Sequence, residues 1–446
     1  MKANGSFRAV PRFLLGAALY AVLTAVLPGA LLAAEAESAA SDDRPRAGAQ
    51  LTLDDLRTFT DVFNQVRRNY VEAVDDRTLL ESAIRGMLLE LDPHSAYLPG
   101  DDFRHLEDSS DGRYTGIGVD VRARDGRIVV RAVINGSPAD EAGINPDDII
   151  TSIDGEPVKG RFLPDAIDSL LGEPDTEVDL LVLTPGGDER AVTVRRKSLA
   201  IPVLSFNLLE DGWGYYKLTL FHKSTGVDLE ASLDSVRADG VELRGLVIDL
   251  RGNPGGVLQG AVELADGFLD EGLIVITRGR NSTMAMEFEA RAGQWLPDVP
   301  IMVLVDRGTA SASEVFAGAL QDHGRAVVVG ERTFGKGSVQ SVLPLRNGGG
   351  IKLTTARYYT PSGRSIQAEG IRPDVLYAFA GEQQRPREAD LERHLLRDDG
   401  TEGQPPAAVP ANDPFPLDEA LDILENAGIL TPSDDADPDA GAATDE

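Results

Sequence analysis

The spacing of apolar residues changes period twice along this chain. From residue 52 it is helical: Thr52 and Asp55 form a capping-box pair, and Leu53, Leu56, Phe59, Val62, Phe63, Val66 and Tyr70 then share one face. Leu79, Leu80, Ala83, Ile84, Met87, Leu88 and Leu91 make a second such face, which Asp92-Pro93 stops. From Gly112 the period shortens to two. GIGVDV, RIVVRAVI, DIITSID, EVDLLVLT and ERAVTVRR read as short strands separated by Asp-Gly, Gly-Glu-Pro and Pro-Gly-Gly turns. Short helices around SPADEAG and LPDAIDSLL interrupt them, which predicts a small compact barrel. Over roughly 201–380 strands and helices alternate: strands at Trp213–Leu220, Leu246–Leu250, Ile301–Val305 and Ala326–Val329, helices at Asp228–Ala238, Val257–Phe268 and Ala312–Gln321. That alternation predicts a largely parallel sheet covered by helices.

The two ends are of other kinds. Lys2, Arg8 and Arg12 precede an apolar run from Phe13 to Leu27, then Pro28-Gly29 and Leu31-Leu32-Ala33-Ala34, the layout of a secretory signal. The run is shorter than the roughly 20 residues that span a bilayer, so cleavage near Ala34–Ala36 is expected; left uncut, it would anchor the chain. Both outcomes place the protein outside the cytoplasm, in the periplasm or cell envelope. Residues 381–446 are rich in Pro, Asp and Ala. One amphipathic helix stands out there (Leu417, Leu421, Ile423, Leu424), and 431–446 reads as an acidic disordered tail. The expected order is a signal (1–34), a linker (35–50), a helical region (51–108), the small barrel (109–198), an α/β core (199–380) and a C-terminal extension (381–446).

Charge and composition narrow the chemistry. A formal net charge of −30 argues against nucleic acid and anionic membranes as partners. With no cysteine there is no disulfide, thiolate metal site or cysteine nucleophile, and the five histidines stand at no metal-ligand spacing. No metal or other cofactor is expected.

Three stretches remain as candidates. In Asp306-Arg-Gly-Thr-Ala-Ser-Ala-Ser-Glu314 an apolar strand meets a helix, so Ser311 either caps that helix or stands exposed as a nucleophile, with the Ala312 N–H as an oxyanion donor. His323 lies twelve residues on, roughly 18 Å away along the same helix, and cannot be its base; His222 has no supporting context. Lys336, in Thr333-Phe-Gly-Lys-Gly-Ser-Val-Gln340, follows the strand AVVVG at the same sheet edge. A lysine base must be neutral, which requires desolvation and a lack of nearby carboxylates. Its neighbours in sequence include no acid, and Gln340 can orient the amine without adding charge. Gly330-x4-Gly335-Lys336 also approaches a phosphate loop, but Gly337 stands where Ser or Thr should be, and SVQSVLPL continues as a strand instead of a helix. In Asp249-Leu-Arg-Gly-Asn-Pro-Gly-Gly256, Gly255 and Gly256 either serve a strand–helix turn or aim N–H groups at an oxyanion. Gly116-Ile117-Gly118-Val119 opens the barrel with glycines that let N–H groups converge on a carboxylate, beside a strand that can pair with an added peptide.

Taken together these residues resemble the carboxyl-terminal processing proteases, the tail-specific family, over roughly 52–380. The likeness rests on LDPHSAYL, GIGVDV, SPADEAGINPDDIITSIDG, DLRGNPGG, TASASE, GALQDHGRA, GERTFGKGSVQ and TARYYTPSGRSIQAEGIRPD, in that order. Thr309 stands where Ser is commoner and Gly252 where Asn is; neither removes a needed chemical group. The resemblance implies a multidomain α+β fold: a helical N-terminal region, a PDZ sandwich or barrel, and an α/β protease core with a Ser-Lys dyad. It implies Ser311 as nucleophile, Lys336 as base and Gln340 as its orienting partner, with no cofactor, and cleavage of exported proteins near their C-termini. His94 and Glu314 lie in family motifs and are read as structural. The partners expected are unfolded or C-terminally exposed exported proteins; an activating adaptor and a homo-oligomer are compatible with the sequence. The competing readings are a PDZ scaffold whose core is inactive or gated by a partner, and a serine hydrolase of small esters.

Overall fold

Runs with no polar interruption become the innermost strands, because a strand covered on both faces needs apolar residues on both. In the computed structural model Gly245–Asp249, Ile301–Val305 and Ala326–Gly330 are buried along their whole length. They are the centre of a six-stranded sheet in the order Leu204–Leu208, Trp213–Leu218, Gly245–Asp249, Ile301–Val305, Ala326–Gly330, Val375–Leu376. The first pair is antiparallel and every later one parallel. The structure describes residues 51–124, 126–161, 163–280, 285–379, 385–396 and 417–430; the expected signal (1–34), linker (35–50) and acidic tail (431–446) lie outside them.

Alternate residues of each strand serve opposite faces. Leu246, Ile248, Val303 and Val328 pack under the helices Thr225–Ala238, Leu258–Asp266 and Ala312–Asp322 through Leu229, Leu233, Leu264, Phe316 and Leu320. Val247, Met302, Leu304, Val327 and Val329 face the other way. They are covered by Ala420, Ile423 and Leu424 of the helix Leu417–Asn426. The amphipathic helix predicted near the C-terminus is therefore part of the core.

A second, five-stranded sheet was not among the expectations. Its hub is Gly350–Tyr359. One edge of the hub takes Ser338–Pro344, and the other takes Ala96–Leu98 and Leu273–Gly279, all antiparallel. The strand pattern read in SVQSVLPL belongs here.

The barrel has its own apolar core, including Ile128, Val130, Ile150, Val178, Leu180 and Val182. Its strands run Val119–Arg124, Arg127–Val133, Ile149–Ile153, Glu177–Leu183, Glu189–Arg195, with Val119–Arg124 at the edge of that order. A two-stranded ribbon, Arg113–Gly116 with Lys197–Ala200, joins it to the rest.

The chain divides into two units, Met1–Glu72 and Ala73–Glu446. In the first, Leu53–Asn69 is a helix closed by the expected capping box: Asp55 N–H donates to Thr52 Oγ1 at 3.1 Å and Thr52 N–H to Asp55 Oδ2 at 2.8 Å. None of its residues is buried. In the second, Asp76–Leu89 is capped by the Asp75 carboxylate, and a further helix, Gly100–Ser110, has no counterpart in the sequence reading.

Candidate active site

Ser311 stands at the junction of a central strand and a helix, in a backbone conformation that L-residues avoid (φ 57°, ψ −116°). Such strain costs about 1–3 kcal/mol and persists only where its surroundings over-determine it. Here they do. Asp306 Oδ1 accepts the N–H groups of Gly252 and Gly308, the Thr309 hydroxyl donates to the Leu250 carbonyl, and Ala310 N–H donates to the Asn253 carbonyl. The first helical turn is held by main-chain bonds, since Glu314 and Val315 N–H both donate to the Ser311 carbonyl. Ser311 itself is half-buried.

The glycine-rich loop after Gly245–Asp249 lies directly against this serine. A Cβ on Gly255 would stand 2.6 Å from the Ala310 carbonyl oxygen and 2.9 Å from both Ala312 N and Ser311 Cβ, so only glycine permits the approach. The two glycines singled out from sequence differ in one respect. Gly255 N–H donates to Asn253 Oδ1 at 2.9 Å and is already engaged, whereas Gly256 N–H has no hydrogen-bond partner among the described residues. Nor has Ala312 N–H, at the positive end of its helix. Below the loop, buried Asp249 accepts bonds from Lys217, Tyr215 and Arg251, which fixes where the turn begins.

Lys336 follows Ala326–Gly330 on the neighbouring loop, and one side chain ties that loop to the serine. Glu314 is fully buried. Its Oε1 accepts the Thr333 hydroxyl at 2.5 Å and Gly335 N–H at 2.7 Å; its Oε2 accepts Ser311 N–H at 2.7 Å and Lys336 N–H at 2.9 Å. Two N–H groups sharing one oxygen cannot be further apart than those two bonds laid end to end. Burial pushes the Glu314 carboxyl up to about 7 despite its four donors.

The Lys336 amine is held below the ordinary lysine range by burial first and by the Lys352 ammonium second; Glu388, Glu314 and Asp92 oppose that shift. Three acids therefore do act on its charge, a correction to the acid-free environment read from its flanking residues. They arrive from remote parts of the chain, and each is engaged by other groups: Asp92 by His94 N–H, Ser95 N–H and the Ser95 hydroxyl, Glu388 by His94 and Gln367. None forms an ion pair with the Lys336 amine among the described residues. Gln340 lies beside a β-bulge in Ser338–Pro344. Its amide nitrogen donates to Thr354 Oγ1 at 2.8 Å and Ser338 Oγ at 3.3 Å, while its buried Oε1 has no partner among the described residues. Among the described residues no hydrogen bond links the Ser311 hydroxyl to the Lys336 amine.

The other candidates fall elsewhere. His323 caps the far end of the Ser311 helix and contacts the Leu273 carbonyl at 2.6 Å; His222 packs on Gly112 with Ser224 and Thr225. Gly116 ends the ribbon strand, buried Ile117 accepts Ala139 N–H, Gly118 accepts Ile134 N–H, and Val119 begins the edge strand. Sequence reasoning missed Asp92, Lys352 and Glu388 and undervalued Glu314. Only the LDPHS and TASASE motifs carried any signal for that region.

Comparison with known proteins agrees with this architecture. The model of peptidase family S41 matches residues 212–377, a PDZ domain model matches 129–184, and the model of the N-terminal domain of the activating protease CtpB matches 14–101. A carboxy-terminal-processing protease of Bartonella bacilliformis is 38% identical over 388 residues, 84% of this chain and 89% of that protein. A CtpA-like serine protease of Staphylococcus aureus is 35% identical over 323 residues, 72% of this chain and 64% of that protein. Among solved structures, a photosystem II D1 C-terminal processing protease is 32% identical, with a TM-score of 0.44, and the match covers 73% of this chain and 94% of that one. Over most of its length, then, the chain belongs to peptidase family S41, the serine-type C-terminal processing proteases, and carries a PDZ domain and a CtpB-like N-terminal domain.

Proposed function

We propose that this protein is a serine endopeptidase with a Ser311–Lys336 dyad that cleaves exported proteins near their C-termini. The observation that carries the reading is the Glu314 carboxylate, which joins the main chain of the candidate nucleophile to that of the candidate base. An extended C-terminal segment adds to the open edge of Val119–Arg124, its carboxylate over the Gly116–Val119 turn, and the chain upstream enters the cleft. Neutral Lys336 takes the proton from Ser311 Oγ as that oxygen attacks the carbonyl carbon. Ala312 and Gly256 N–H hold the resulting oxyanion. The Lys336 ammonium then protonates the departing amine, the C–N bond breaks, and water hydrolyses the acyl-enzyme. Gln340 Oε1 is suited to accept from the amine and fix its direction. The signal-like N-terminus supports export to the periplasm or cell envelope. A homo-oligomer is supported by the exposed Leu53, Leu56, Phe59 and Val62 on the first helix.

The lack of a serine–lysine hydrogen bond among the described residues favours a second reading of the same core, a closed resting state that an activating partner or substrate docking must switch on. The test is cleavage of an unfolded reporter by purified protein. Ser311→Ala and Lys336→Ala should each abolish it, and Lys336→His should not restore it. Robust cleavage by Lys336→Ala would refute the dyad. A wild type that binds the reporter without cutting it, and cuts once an envelope extract is added, would establish the gated form.

A further inference from the structure

Glu388 lies beyond the residues matched by the peptidase model, on a segment to which the sequence reading assigned no role. It is nevertheless fully buried beside the base loop. Its Oε2 meets His94 Nε2 at 2.7 Å, and its Oε1 accepts Gln367 Nε2 at 2.9 Å. Gln367, also fully buried, turns its own Oε1 to Gly337 N–H at 3.1 Å. Gly337 is immediately after Lys336, and a Cβ there would stand 2.2 Å from Gln367 N. The same segment grips the loop upstream of the lysine: Glu388 N–H donates to the Phe334 carbonyl at 3.0 Å and Arg387 Nε to the Thr333 carbonyl at 3.2 Å. His94 is itself fixed by the LDPHS turn, in which Asp92 accepts the N–H groups of His94 and Ser95. Parts of the chain nearly 300 positions apart, |i−j| = 294, thus close on one carboxylate next to the candidate base.

We propose that Glu388 is a positioning residue for the base: clamped between His94 and Gln367, its carboxylate fixes Gly337 N–H and so the direction in which Lys336 enters the site. This rests on Lys336 being the base. A plain structural strut of the same shape would not need a charge, and charge gives the role a second readout. The charged groups that act on the Lys336 amine are Lys352 from the hub strand, Glu314 from the serine helix, Asp92 from the LDPHS turn and Glu388. Each acid favours the ammonium. Replacing Glu388 with neutral glutamine makes the amine easier to deprotonate and moves the acidic limb of kcat/KM, where activity rises as the base loses its proton, to lower pH. Aspartate keeps the charge and withdraws it by one methylene, which loosens the clamp.

The experiment records kcat, KM and pH profiles with a peptide of free C-terminus for wild type, Lys336→Ala, Glu388→Gln and Glu388→Asp, each assayed well below its measured Tm. Expected are no activity for Lys336→Ala and an acidic limb lowered by about half a pH unit or more for Glu388→Gln. Glu388→Asp should lose about tenfold or more in kcat with the limb close to wild type and KM little changed. Activity in Lys336→Ala would remove the base, and with it this inference. An inactive Lys336→Ala beside Glu388 variants with wild-type kcat and limb would overturn the positioning role alone. Losses that track Tm while the limb stays fixed in both variants would also overturn it, reducing Glu388 to a strut.

Discussion

Glu314→Gln is the most informative perturbation of the site, because it changes charge and one hydrogen-bonding atom while keeping shape. Glutamine can keep its carbonyl where Ser311 and Lys336 N–H converge. Its NH2 then faces the Thr333 hydroxyl, which can turn to accept, and Gly335 N–H, which cannot. One buried N–H left without an acceptor costs about 1–3 kcal/mol. The pH dependence has a definite sign. Burial raises the folded pKa from 4.5 to about 7, so the folded protein holds this proton more tightly than the unfolded chain does. The associated stability is fully present below about 4.5 and is lost as pH rises through about 7, on the order of 3 kcal/mol in all. Glutamine does not titrate. The disadvantage of the variant should therefore be largest near pH 5 and shrink by pH 8. Urea unfolding at both pH values, with Ser311→Ala in both proteins to prevent self-digestion, measures that gap; with Ser311 present, kcat should fall, by up to about 100-fold, because the lysine loop loses its Gly335 anchor. A gap that is constant, or that widens in favour of wild type at pH 8, would show that burial does not set the charge of Glu314.

Three further outcomes are expected. Lys352→Met removes the like charge that helps to hold Lys336 below the ordinary lysine range, so the acidic limb of kcat/KM should rise by about half a pH unit, read from a pH–rate profile. Leu424→Ala opens a hole against the far face of the central sheet and should cost about 2–5 kcal/mol in denaturant unfolding, since Leu424 is fully buried there. Peptides taken up at the edge strand should lose affinity when their C-terminal carboxylate is amidated, as measured by fluorescence anisotropy; equal binding of acid and amide would remove the carboxylate-capture reading of Gly116–Val119.

The parts of this molecule legible in sequence are those where one short stretch decides its own structure. LVID, IMVLV and AVVVG admit only a strand covered on both faces, and the turns after them place the Gly255, Ser311 and Lys336 loops at one sheet edge. The hub strand Gly350–Tyr359 was not legible, because its side chains are mostly half-buried and its pattern (GIKLTTARYY) mixes polar and apolar positions. Gln340 could be named, but the bulge beside it appears only once Ser338–Pro344 has a partner. The electrostatics of Lys336 were least legible. Its acids stand at positions 92, 314 and 388, and nothing in their local sequence marks them as neighbours. The helix Leu417–Asn426 was read correctly as a helix, yet its place against Val247 and Met302 depends on a sheet assembled far upstream.

The open edge of Val119–Arg124 carries a hazard as well as a use. A row of unpaired main-chain groups will zip onto any extended segment, another copy of the same chain included. Here the edge strand is only six residues long, broken by a bulge between Asp120 and Val121, and studded with Asp120, Arg122 and Arg124. Shortness, bend and mixed charge leave room for a single brief visitor and little register for a growing stack. The domain can thus keep one sticky border exposed without seeding aggregates.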